Sequence, residues 1–154
     1  AAAEGDFEKA FALDSESLAR YRELGDTWQA IIIAWSVGVS AAVLGKFDVA
    51  HENLAECLLV GLELGNKWGT SYPLEAFAVL AVAERNYERA ARLFGAADAQ
   101  RIRSGLVPQA ADHPAMRAIL AAAPDFTGPA VEAARREGQM LDLEAATALA
   151  IGDK

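Results

Sequence analysis

Residues 45–69 have the sequence GKFDVAHENLAECLLVGLELGNKWG, and residues 5–29 have the related sequence GDFEKAFALDSESLARYRELGDTWQ. The two stretches match at a separation of 40 positions, as in the pair Phe7 and Phe47 and the pair Trp28 and Trp68. A third stretch, RNYERAARLFGAADAQRIRSG at residues 85–105, keeps the same register at Tyr87. Self-similarity at a constant period predicts stacked units, each of which buries its apolar side against the next.

Each unit is expected to contain two helices. Apolar residues recur at helical spacing from Phe7 onward, and Gly25, Gly65 and Gly105 follow the last periodic residue of their helices, where glycine stops a helix. Asp26 or Thr27, and Asn66 in the next unit, are suitable N-caps. Proline is favoured in the first turn of a helix, so prolines after the third repeat stretch mark the starts of further helices. The predicted helices are 7–24, 27–44, 47–64, 69–84, 87–103, 113–123, 128–137 and 142–150.

The first helices differ in polarity. Residues 30–44 are apolar on almost every side, which predicts a helix buried between neighbours, whereas helix 47–64 has one apolar and one acidic face. Alternating inner and outer helices predict an all-α fold, an antiparallel helical-hairpin solenoid. We expect about two and a half repeat units in residues 1–106 and a short C-terminal helical cap of the same domain in residues 107–154.

Composition restricts the classes of function. The 154 residues are 53% hydrophobic with a net charge of −8, so a nucleic-acid surface is not expected on this chain. The longest apolar stretch is shorter than the roughly 18 residues of a membrane span. Cys57 is the single cysteine, and no signal peptide is recognisable, so a reducing, cytoplasmic location is expected. The chain starts without Met, and we expect it to be a fragment of a longer protein.

The stretch LGKFDVAHENLAEC resembles the tetratricopeptide (TPR) repeat, in which a glycine, an aromatic residue and an alanine recur as Gly45, Phe47 and Ala50. Small residues at helix crossings let the two helices of such a repeat approach closely. The resemblance covers residues 5–105. The period of 40 exceeds the usual 34 of this family, and glycine replaces the proline that usually ends the repeat.

The C-terminal stretches ERAARLFGAADAQR and EGQMLDLEAATALA resemble the end of the helical-repeat region in LuxR-type and related STAND ATPase multidomain transcriptional regulators of bacteria. This resemblance implies a non-catalytic interaction or sensor module in a signalling protein. Neither an ATPase motif nor a helix-turn-helix occurs in the chain, so neither activity is carried over.

No residue set predicts catalysis, a cofactor or a metal. His51 and Cys57 lie six positions apart, which does not place two metal ligands on one face of a helix. Cys57 occupies a small-residue packing position and is expected to be an inert buried thiol. His113 or Asp112 is expected to cap the helix that follows. Nucleotide-binding and hydrolase motifs are lacking, so we expect no enzyme.

The aromatic and polar residues of the two inner helices suggest a concave groove for a protein or peptide. Its candidate lining residues are Gln29, Ile32, Ser36, Val39, Trp68, Tyr72, Glu75 and Val79. The alternative, that these aromatic residues are only core, stays open.

Partners are therefore expected to be a protein, a peptide, a small effector or neighbouring domains of the parent polypeptide. A standalone TPR adaptor and a small-molecule-binding protein are the alternative functions. If Phe7, Phe11 or Tyr21 of the first helix is partly uncovered, a homodimer would also form.

Overall fold

The computed structural model describes residues 4–65, 68–105 and 113–152. Within these ranges the regular structure is entirely helical, which confirms the all-α prediction, and each predicted helix is found within three residues at either end. The helices are α1 (Glu4–Glu23), α2 (Thr27–Val43), α3 (Phe47–Leu64), α4 (Trp68–Ala83), α5 (Tyr87–Ser104), α6 (Pro114–Ala122), α7 (Pro129–Gln139) and α8 (Leu143–Gly152).

Local chemistry explains where the helices begin and end. The Asp26 side chain accepts the N–H of Gln29 at 3.1 Å and so caps α2. Gly65 and Gly105 end α3 and α5 in the left-handed region, with φ of 63° and 71°. Pro114 and Pro129 lie in the first turns of α6 and α7. The predicted caps Asn66 and Asp112 lie outside the described residues, as does the expected boundary near residue 106.

The helices from α1 to α5 pack each against the next along the chain. This order breaks after α5, whose main neighbour is α7 rather than α6. Helix α6 instead lies against both α2 and α4, and α8 lies against α3, α4 and α5. The segment after α5 therefore folds back onto the earlier helices.

Helix α4 forms the centre of the core, because every residue from 70 to 82 is buried. Its apolar side chains join those of α2, α3, α5, α6 and α8, and Phe7 of α1, in one cluster. Each fully buried Leu or Phe in such a cluster contributes about 1.5–3 kcal/mol to stability. A smaller apolar cluster joins α1 to α2 through Leu18, Ala30, Ala34 and Val37. Phe7 is also buried, so it does not offer the uncovered dimer surface considered above; Phe11 and Tyr21 are half-buried.

Helices α5 and α7 cross in antiparallel directions at two glycines. A Cβ at Gly95 would overlap the carbonyl oxygen of Arg135, and a Cβ at Gly138 would overlap that of Arg92. Two ion pairs flank the crossing, Arg92 with Glu137 at 3.0 Å and Arg135 with Asp98 at 3.2 Å. The glycines allow backbone-to-backbone contact, which explains why α7 rather than α6 sits beside α5.

Candidate functional site

The most informative surface is the face of α2 and α4 that α6 covers. At its N-terminal end α6 is fixed to α2, where the His113 ring meets the Trp35 ring edge-on at a centroid distance of 5.2 Å. In its middle, Ala115, Met116 and Ile119 are buried in the main core. Beyond its C-terminal end, Phe126 stacks on Tyr87 of α5 at 5.3 Å. The helix therefore lies obliquely from the middle of α2 to the turn between α4 and α5.

The residues predicted to line a groove divide into two groups. Val39 and Val79 are fully enclosed, and Tyr72 and Glu75 are each only 7% exposed. In this conformation these four side chains belong to the interior and do not line an open groove, because α4 is surrounded by other helices on all sides. Gln29, Ile32 and Ser36 of α2 are half-buried and border solvent. The side chain of Trp68 lies outside the described residues.

A chain of hydrogen bonds joins α1, α2 and α6 at Ser36. The Ser36 hydroxyl donates to Asp14 Oδ2 at 2.7 Å, and His113 Nε2 lies 3.3 Å from Ser36 Oγ. His113 Nδ1 accepts the backbone N–H of Ala115 at 3.1 Å, so His113 is the N-cap expected from the sequence. Since Nδ1 accepts, a neutral imidazole carries its proton on Nε2 and donates it to Ser36 Oγ.

These bonds give the three residues a structural role. A catalytic serine must donate its proton to a histidine that a carboxylate orients. Here the serine donates to the carboxylate and accepts from the histidine, so the bond directions are reversed. Burial lowers the pKa of His113, the Asp14 carboxylate opposes this effect, and the charge of Arg117 adds to it. The buried position of His113 at the start of α6 thus favours its neutral form.

Two cavities flank α6. One of about 290 Å³ lies at its N-terminal end, between α1 and α2, and is lined by Asp6, Phe7, Ala10, Ser36, Ser40, His113 and Pro114. A larger and more open one of about 680 Å³ lies at its C-terminal end, where the walls include Ala42, Val43, Val82, Ala83, Ile119 and Ala122. The helix therefore fills only part of the space along α2 and α4.

The other chemically notable residues are held in structural contacts. The Cys57 side chain is fully buried, and this burial raises the pKa of its thiol. His51 Nε2 lies 3.1 Å from Oε2 of Glu84 in the turn after α4, and its ring lies against that of Phe77. Among the described residues no three His, Cys, Asp or Glu side chains are grouped closely enough to hold a metal ion.

The sequence predicted Ser36 as a groove-lining residue of α2 and His113 as a candidate helix cap, but it did not predict that the two side chains meet. They are 77 positions apart, and nothing in the spacing of either residue signals the contact. Asp14 was missed altogether, because an acidic residue on an amphipathic helix is ordinarily a solvated one.

Comparison with known proteins gives no match to any family model, curated protein or solved structure. In the part of the chain that the structure describes, the helices are too short or too polar to cross a membrane.

Proposed function

We propose that this chain is a non-catalytic interaction and sensor module of the TPR-like helical-hairpin type, belonging to a bacterial cytoplasmic regulator of the LuxR or STAND class. It binds a protein or peptide partner on the face formed by α2 and α4. The packing of its helices then transmits the bound state to neighbouring domains. The solenoid arrangement and the C-terminal cap are part of this proposal.

The placement of α6 is the observation that carries the proposal. A short amphipathic helix packs across α2 and α4, so this face has the shape and apolar character that helix recognition needs. The contacts at the N-terminal end of α6 involve Trp35 and Ser36, whereas Gln29 and Ile32 lie about one to two turns nearer the start of α2 and border solvent. A partner peptide can reach these two residues without any change in the chain.

Selection from a peptide library displayed on phage tests the proposal. Enriched peptides are expected to bind the purified chain, and Ile32→Asp is expected to weaken binding about tenfold or more, because a charge replaces an apolar contact. Leu13→Asp is the control for an added charge, since Leu13 lies on α1 and is 64% exposed. Circular dichroism checks that both variants fold. Equal binding by the two variants, or no enrichment, would contradict the proposal.

The alternative of a small-molecule-binding protein is supported by the cavity of about 290 Å³ between α1 and α2. Its walls combine the Phe7 ring with the polar groups of Ser36, Ser40 and His113, a combination suited to a small, mainly apolar ligand. A thermal-shift screen with metabolites separates this alternative, because a bound ligand raises the unfolding midpoint. The third reading, a standalone adaptor, differs only in whether an ATPase or DNA-binding domain occurs in the same polypeptide.

A further inference from the structure

Helix α6 is short and depends on its neighbours. It has only nine residues, and an isolated helix shorter than roughly 12 residues is marginal in water even with favourable residues. Its one buried face, formed by Ala115, Met116 and Ile119, therefore depends on docking against α2 and α4. Arg117 and Ala121 on its other face are exposed. Undocking α6 would unfold this helix and uncover apolar surface on its two neighbours.

The charge distribution beside the α2–α4 face favours one orientation of the docked helix over the reverse. The N-terminal end of α6 meets the Ser36 hydroxyl, which is bonded to the Asp14 carboxylate. A negative charge near a helix N-terminus interacts favourably with the helix dipole. Reversing the helix would bring its negative end towards Asp14. The α2–α4 face therefore favours a helix whose N-terminus lies at Ser36.

We propose that the α2–α4 face beneath α6 is an acceptor site for an amphipathic helix of a partner protein, and that α6 is its resident competitor. The partner helix has the pattern of α6, a small residue followed by large apolar residues one and four positions later, with its N-terminus at Ser36. This inference rests on the proposed function and adds the class of partner and its regulation. The affinity for the partner is reduced by the fraction of chains in which α6 remains docked.

Replacement of residues 114–122 by a Gly/Ser segment of equal length creates an opened variant for the main test. The probe is a fluorescein-labelled peptide of residues 113–123, HPAMRAILAAA, with a lysine-rich C-terminal tag for solubility. The peptide is expected to bind the opened variant at least about tenfold more tightly than the intact chain, because the competitor has been removed. The control peptide carries Met116→Asp and Ile119→Asp and is expected not to bind. Lack of saturable binding to an opened variant that keeps its helical circular dichroism would overturn the inference.

Hydrogen exchange on the intact chain keeps the inference testable if the opened variant does not fold. Amides of α6 are expected to exchange at least about tenfold faster than those of α4, after correction for intrinsic rates, because α6 opens locally. Protection of α6 equal to that of α4 would overturn the inference. If the α6 peptide fails to bind while library peptides still bind the intact chain through Ile32, the helix-acceptor inference falls and the proposed function stands. If neither the α6 peptide nor any library peptide binds, the inference and the proposed function are both contradicted.

Discussion

At the scale of single residues, the His113 side chain links three helices through two ring nitrogens. One nitrogen caps α6, and the other faces Ser36, which is bonded to Asp14 of α1. Protonation would place a hydrogen on Nδ1, where it would face the N–H of Ala115 instead of accepting from it. It would also put a positive charge at the positive end of the helix dipole. The acid form of His113 therefore weakens the docking of α6.

The direction of the His113 pKa shift predicts how stability depends on pH. The folded pKa lies below the ordinary value of 6.5, so the unfolded chain binds more protons in the interval between the two values. The contribution of His113 is then complete above pH 6.5 and is lost as the pH falls towards the folded pKa. The charged groups that act on the ring are Asp14 of α1 and Arg117 of α6 itself, and Asp6 of α1 lines the same cavity as His113.

His113→Asn is expected to remove this part of the pH dependence, because asparagine can also cap a helix but does not titrate. The measurement is the free energy of unfolding of both proteins between pH 5 and 8, together with an NMR titration of the His113 ring. The difference between the two proteins isolates His113 from His51. A midpoint for His113 above 6.5 would contradict the account.

Cys57 is predicted to be unreactive in the folded chain. Its side chain is fully enclosed, and burial first, then the Glu56 charge, raises the pKa of the thiol, so almost no thiolate forms at neutral pH. Reaction with a thiol reagent such as DTNB is expected to be at least about a hundredfold slower than that of the urea-unfolded chain. Equal rates in the two states would show that the reagent reaches Cys57 of α3 in the folded chain.

At the scale of the elements, a left-handed residue follows each of the helices α1 to α5. Gly25, Gly45, Gly65 and Gly105 have φ between 63° and 76°, but the α4–α5 turn uses Arg85, with φ of 62°. A non-glycine residue in this region costs about 1–2 kcal/mol relative to the right-handed one. The chain therefore carries strain in this turn that glycine avoids in the others.

Arg85→Gly is predicted to raise the free energy of unfolding by about 1 kcal/mol, because glycine adopts this conformation without steric cost. Gly45→Ala, at the equivalent place in the α2–α3 turn, is the control and is expected to lower the free energy by about the same amount. Urea unfolding measures both. A loss of stability in Arg85→Gly would mean that the arginine side chain makes a contact worth more than the strain.

The α5–α7 crossing provides a second prediction at this scale. Gly95→Ala and Gly138→Ala are each expected to lower the free energy of unfolding by about 1–3 kcal/mol, because the added methyl would overlap a backbone oxygen that cannot move alone. Gly5→Ala in α1 is the control. It has open space around its Cβ position and should be neutral or slightly stabilising. Equal effects at all three positions in urea unfolding would contradict this crossing.

At the scale of the whole molecule, local features were predictable and distant contacts were not. The helix ends followed from residues such as Asp26 and Gly65, whose effects extend over one turn. The burial of Glu75 could not be foreseen, because a carboxylate on an otherwise apolar helix is normally taken to mark an accessible face. It is enclosed because the C-terminal helices fold back and α4 gains neighbours on every side.

In the candidate site, too, local features were predictable and contacts between distant residues were not. The choice of Ser36 as a polar candidate on the otherwise apolar α2 depends on helical periodicity, which is a local property. The docking of α6 depends instead on contacts between residues far apart in the sequence, such as His113 with Trp35 of α2, and no periodic pattern encodes these contacts. The close contact between α5 and α7 could not be predicted either. A glycine inside a helix, such as Gly95, indicates a close crossing only when the neighbouring helix is known.

The placement of α6 across α2 and α4 is the central claim, and a NOESY spectrum of the isotopically labelled chain at pH 7.5 tests it most directly. The account predicts cross-peaks between the rings of His113 and Trp35 and between those of Tyr87 and Phe126, whose centroids lie 5.2 Å and 5.3 Å apart. A well-dispersed spectrum of a folded, helical chain that shows neither pair of cross-peaks would contradict it.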